Sequence, residues 1–208
     1  MNTLSIGDAI SYGWRGFWKN IGPLIVGTIA LVVVHIVFGV LSVVFDNVVL
    51  QIIVRLVGYV VSLLIVLGLL RMSLAVTSGQ PPNTSDLTNT NAWGTYIGAS
   101  IIFAIVSSIG FALCIIPGII VYVFWGFYGF VIADRGEGVG VGEAFSRSVE
   151  ITAGNRWQLF GLGILLVLIN FVGALLCGVG LLFTYGITAV TGAYAYRTLS
   201  GQPVAEIV

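Results

Sequence analysis

Between Arg156 and Arg197 the chain carries no Asp, Glu, Lys or Arg, and most of its residues there are aliphatic, aromatic or glycine. A segment like this has no water to pair with inside a membrane, so its backbone must satisfy its own polar groups, which favours helices. About 20 helical residues cross a bilayer core of about 30 Å, so the run can cross twice. The rest of the chain is similar. Of its 208 residues 58% are apolar and 8% charged, against roughly 25% charged in a soluble domain. The class implied is an all-α, polytopic integral membrane protein, organised as a single domain over 1–208.

Six spans are expected: Ile21–Phe45, Val49–Val76, Trp93–Ile116, Ile119–Ala133, Trp157–Leu176 and Leu181–Tyr196. Short turns at Asp46-Asn47, Pro117-Gly118 and Cys177–Gly180 join them in pairs. Ser78 to Asn91, rich in Pro, Gly, Asn and Thr, reads as a loop with room for a short surface helix. Asp8, Arg15 and Lys19 interrupt the first twenty residues, so no cleavable signal peptide is expected there.

Two stretches look wet on one side only. Asp8, Ser11, Arg15 and Lys19 form a polar stripe at helical spacing, opposite Ile6, Ile10, Gly13 and Phe17. Glu143, Ser146, Arg147, Glu150 and Gly154 do the same opposite Val141, Ala144, Phe145, Val149 and Thr152. Each reads as an amphipathic helix lying in the membrane interface, the first before span one and the second before span five. Trp14 and Trp18 suit that depth.

Six crossings put both termini on one side. Arg15, Lys19, Arg71, Arg135, Arg147, Arg156 and Arg197 fall on that side, leaving Arg55 at the other. The positive-inside rule then places both termini in the cytoplasm, in a plasma or inner membrane. A formal net charge of zero and scattered cations give no basic surface for nucleic acid.

Short internal matches point to a repeat. Gly7-Asp8-Ala9 with Ser11 and Asn20 is echoed by Gly142-Glu143-Ala144 with Ser146 and Asn155. Asn91-Ala92-Trp93 parallels Asn155-Arg156-Trp157, and Leu113-Cys114 with Pro117 parallels Leu176-Cys177 with Gly180. Ser78-Gly79-Gln80-Pro81 returns as Ser200-Gly201-Gln202-Pro203. Three units follow, 5–81, 83–134 and 139–203, each a surface segment followed by a membrane hairpin.

Pro117-Gly118, the aromatic run Tyr122 to Phe130, the joint Asp134 to Gly138, Glu143-Ala144 with Ser148, Asn155, and Ala193-Tyr194-Ala195-Tyr196-Arg197 make up one pattern. It resembles that of poorly characterised bacterial, actinobacterial-like membrane proteins, and is similar to the membrane region of the glycerophosphoryl diester phosphodiesterase membrane-domain family. The resemblance covers the second half well and the first half loosely. It implies a six-helix fold. A phosphodiesterase barrel takes about 250 residues, which these 208 do not supply, so the enzymatic activity is not carried over.

Chemistry within the spans has few candidates. His35, midway through span one, is either a neutral packing histidine or an intramembrane polar site. Asn170 reads as interhelical glue or a ligand contact. Asp46 and Arg55 flank the first turn as an expected ion pair. Cys114 and Cys177 allow a disulfide, with free thiols preferred. No Cys/His spacing suggests zinc, and no metal, cofactor or catalytic set is expected. Ser100, Ala104, Ser108 and Ala112 form one small-residue seam, and Thr184, Thr188 and Gly192 another. They allow close packing or a small cavity near Tyr185 and Tyr194 that takes a lipid or apolar solute.

The surface stripes also have two readings. Glu143 with Arg147, and Arg147 with Glu150, are spaced to solvate a helix through weak ion pairs. Alternatively Asp8, Arg15, Lys19, Glu143, Arg147 and Glu150 form a docking surface for a partner. The expected function is that of a non-enzymatic scaffold or accessory subunit, with membrane lipids, other membrane subunits or a second copy as partners. The alternative is a transporter or binder of a small apolar or lipid-like substrate. Against it, the sequence shows neither a broken helix nor a midplane charge.

Overall fold

The computed structural model describes residues 3–176 and 178–207, and helices are the regular structure there. The elements are α1 (Ile6–Lys19), α2 (Ile21–Val44), α3 (Val48–Thr77), a 3₁₀ turn (Thr84–Thr88), α4 (Trp93–Leu113), α5 (Ile115–Trp125), α6 (Tyr128–Arg135), α7 (Val141–Thr152), α8 (Arg156–Leu175) and α9 (Val179–Ser200). Among the described residues, α2, α3, α4, α8 and the combined segment Ile115–Arg135 are long and apolar enough to cross a membrane.

α9 falls outside that set for a physical reason. It is a central helix, packed against α1, α2, α3 and α8. Val190, Thr191, Ala193 and Ala195 are wholly buried along it. A helix shielded from lipid by its neighbours can carry Thr, Tyr and Gly, whereas α8, with little of its length buried, must be apolar nearly all round.

The amphipathic registers of α1 and α7 follow the 3.6-residue period. Asp8, Ser11, Arg15 and Lys19 are exposed, while Tyr12, Gly13, Gly16 and Phe17 are buried. Ser5 caps α1 by accepting the Asp8 N–H at 3.4 Å. Glu143, Ser146, Arg147 and Glu150 are likewise exposed, and Ala144, Phe145, Ser148 and Thr152 buried. Each helix passes into the next through an asparagine of similar backbone conformation, Asn20 at φ −117°, ψ 30° and Asn155 at φ −122°, ψ 21°.

α3 and α9 also end alike. Gly79 and Gly201 adopt φ +75° and +73°, which glycine enters without a Cβ clash. Gln80 N–H returns to the Ala75 carbonyl and Gln202 N–H to the Arg197 carbonyl, both at 2.9 Å. The two ends meet. Arg197 Nη2 donates to Ser78 Oγ at 2.6 Å and Nη1 to the Pro203 carbonyl at 3.0 Å. The following residues strap across α1 and α3: Ala205 N–H donates to the Thr77 carbonyl and the Tyr12 hydroxyl to the Ala205 carbonyl.

Three details differ from the sequence reading. The α4–α5 turn lies at Cys114, with φ −171° and ψ 154°, rather than at Pro117-Gly118. Pro117 sits in the first turn of α5, where its missing N–H has no helical partner to lose. On α4 the buried small residues are Ala99, Ser100, Ser107 and Gly110, while Ser108 and Ala112 face outward. Gly110 meets Gly118 backbone to backbone, a contact that a Cβ would crowd at 3.0 Å.

The third difference bears most on function: span four is a broken helix. α5 stops at Trp125 and α6 starts at Tyr128, and the Phe127 N–H turns to Ser148 Oγ of α7 at 3.1 Å. The Ser148 hydroxyl donates in turn to the Phe124 carbonyl at 2.8 Å. One buried side chain from the amphipathic helix thereby satisfies two backbone groups that the interruption releases.

Candidate functional site: an apolar cavity beside the broken helix

A cavity of about 680 Å³ lies between α3, α4, α5, α6, α8 and α9. That is within the roughly 300 to 1,000 Å³ of ordinary ligand pockets. α3 supplies Val66, Leu69 and Leu70; the broken helix supplies Tyr122, Val123, Gly126, Phe127 and Phe130. α8 contributes a stripe through Leu159, Gly163 and Leu166, and α9 contributes Tyr185, Thr188, Ala189 and Gly192. None of the lining residues is charged. Glycine opens part of the space, since a Cβ built at Gly163 would meet no atom within 4 Å.

The wall has a polar side. Tyr185 and Thr188 lie one turn apart on α9. Thr188 Oγ1 accepts from Asn170 Nδ2 at 2.8 Å, and the same amide reaches the Leu166 carbonyl. Asn170 therefore ties α8 to α9 directly behind the cavity wall. The Tyr185 phenol lies within electrostatic range of Tyr122 and Tyr128. The Tyr128 hydroxyl is 3.0 Å from Ser100 Oγ, and its ring stacks on Tyr96.

The remaining sequence candidates lie elsewhere. Tyr194 does not reach the cavity; its ring packs on Tyr12 of α1, with centroids 4.7 Å apart. His35 is exposed on the outer face of α2, its Nδ1 held 2.8 Å from the Leu31 carbonyl of its own helix, so it does not pack in the core. Arg55 turns to Ser42 Oγ at 3.4 Å. Cys114 is free and exposed, and Cys177 lies outside the described residues. No group of His, Cys, Asp and Glu able to hold a metal occurs among the described residues.

On the exposed faces, Arg147 pairs with Glu150 at 3.5 Å, but Glu143 pairs with Arg135 at 3.1 Å rather than with Arg147. Asp8, Arg15 and Lys19 line α1, separate from this network. Close by, Asp134 accepts from the Tyr196 hydroxyl at 2.9 Å and from Gln202 Nε2 at 2.7 Å. In the sequence Asp134 and Ser148 stand out only as members of one pattern, without these hydrogen-bonding roles.

Helices this apolar around a shared interior define a multi-pass helical membrane protein. The chain belongs to the family described as a domain of unknown function, DUF7847, whose profile matches residues 47–208. It is 27% identical to the uncharacterized protein Rv2560 of Mycobacterium tuberculosis (strain ATCC 25618 / H37Rv), over 98% of this chain and 71% of that one. It is 26% identical, with the same coverage, to the uncharacterized protein Mb2590 of Mycobacterium bovis (strain ATCC BAA-935 / AF2122/97). No solved structure matches the chain.

Proposed function

We propose that this protein binds an apolar or lipid-like molecule within the membrane and serves as its carrier or acceptor. The observation that carries this reading is the uncharged cavity beside the interrupted helix. Broken spans in membrane proteins occur where the freed backbone is buried or lines a cavity, and they commonly mark a solute site. In this reading α9 counts as a sixth span, paired with α8, and the excess of cations at one end keeps both termini cytoplasmic. The matched asparagine joints and helix ends support descent from a repeated hairpin. The likeness to the glycerophosphoryl diester phosphodiesterase membrane region bears on the helical arrangement alone.

A second reading, a non-enzymatic scaffold or accessory subunit, draws on the distal α2–α3 hairpin. Ile36, Val40 and Val43 on α2 and Val49, Ile52 and Leu56 on α3 are all exposed. Gentle extraction followed by native mass measurement separates the two readings. Binding predicts a copurifying apolar molecule of defined mass that is lost in Gly163→Phe, a variant that fills the cavity. A stoichiometric protein partner with no such molecule would instead favour the scaffold.

A further inference from the structure

We infer that the ligand is an uncharged lipid bearing an oxygen acceptor, such as an ester or carbonyl, which is seated against Tyr185 and Thr188. The inference rests on the cavity reading above. It starts from hydrogen-bond accounting. Asn170 Nδ2 donates to Thr188 Oγ1, which leaves the Thr188 hydroxyl hydrogen free to donate. That hydrogen has no acceptor among the described residues, and neither has the Tyr185 hydroxyl. The two donor residues therefore line one apolar space, one turn apart on α9.

Such a pair recognises an acceptor in the ligand. The complementary observation is the lack of any Lys, Arg or His in the lining. A phosphate or carboxylate placed here would be desolvated with no countercharge, which is costly. A plain hydrocarbon would leave both donors unpaired. An uncharged acceptor on an acyl chain satisfies both conditions. The chain would lie along the α8 stripe at Gly163 and Leu166.

The test uses the purified full-length protein and a photoactivatable alkyl chain in three forms, ending in a methyl ester, in a phosphate, or as plain hydrocarbon. The ester form is expected to label α8 and α9 most strongly. Tyr185→Phe combined with Thr188→Val should lower ester labelling about tenfold, as expected for two neutral hydrogen bonds, while leaving hydrocarbon labelling unchanged. Thr188→Ser, which keeps the hydroxyl, should retain wild-type ester labelling. Unchanged hydrocarbon labelling also shows that the double variant has kept its fold; if that labelling falls, Tyr185→Phe alone is used, with a smaller selective loss expected. Equal labelling by phosphate and ester, or an ester signal insensitive to these donors, overturns the inference. If Gly163→Phe leaves every form labelled as before, the cavity reading itself fails.

Discussion

Ser148 on α7 accepts the backbone N–H of Phe127 at 3.1 Å, so an amphipathic helix caps the break in a neighbouring membrane segment. The contact is fully buried and the Ser148 hydroxyl also serves the Phe124 carbonyl. Trp125 and Phe145 reinforce the junction with ring centroids 4.4 Å apart. Because Gly126 and Phe127 also line the cavity, α7 is mechanically joined to its wall.

Ser148→Ala removes the only partner that these two backbone groups have in α7. Leaving a buried polar group unsatisfied costs roughly 1 to 3 kcal/mol, so the variant should unfold at lower temperature in detergent. Any bound apolar molecule should also be released more readily. A melting temperature equal to wild type would show that water or local rewinding replaces the cap.

Tyr12 gives a pH dependence with a definite sign. Its burial in α1 raises the phenol above its ordinary value of 10.0, outweighing the opposing pull of Arg197 and Arg15. The folded state therefore holds the proton longer than the unfolded chain. The resulting stability is full below about pH 10 and is lost as pH rises through the folded-state value. Tyr12→Phe should flatten the decline of stability above about pH 10. It should also lose about 1 kcal/mol at neutral pH with the hydrogen bond to Ala205.

What could be read in advance follows from where water leaves a mark. The stripes through Asp8 to Lys19 and Glu143 to Glu150 were legible because one face of each helix is wet, and the period follows from that contrast. In the spans the contrast disappears. Lipid-facing Val172 and cavity-facing Leu166 are equally apolar, so no periodicity separates wall from surface. The break at Gly126 was hidden inside an aromatic run that reads as one span. Tyr185 lines the cavity, whereas Tyr194, also on α9, packs on Tyr12 of α1. Pro117 misplaced a turn because proline looks the same in a turn and in a helix's first turn.

Arg71 organises the polar loop between Ser78 and Asn91. From α3 its Nη1 donates to the Asn89 carbonyl at 2.7 Å and its Nη2 to the Asn91 carbonyl. Arg71→Met removes both charge-assisted bonds and should cost on the order of 2 kcal/mol. Limited proteolysis should then cut between Ser78 and Asn91 at enzyme levels that leave wild type intact, with helix content unchanged. Equal resistance would mean that Leu87, buried against Gly68 and Gly27, holds the loop alone.

Close approach of α1 to α9 leaves least room at Gly13. A Cβ at Gly13 would lie 1.9 Å from Thr191 Oγ1 and 3.0 Å from the Ile187 carbonyl. Gly13→Ala gains helix propensity of about 1 kcal/mol, yet must push the helices apart, and overpacking typically costs about 1 to 3 kcal/mol. The clash should win, because Thr191 is wholly buried and its hydroxyl is held by the Ile187 carbonyl at 2.8 Å. Gly7→Ala supplies the contrast: its Cβ would meet nothing within 4 Å, so only the propensity gain remains. Thermal unfolding should show Gly7→Ala at or above wild type and Gly13→Ala below it. Combining Gly13→Ala with Thr191→Ala should recover part of the loss, a coupling that two independent defects would not produce. Strict additivity of the pair would place the sensitivity of α1 somewhere other than this contact.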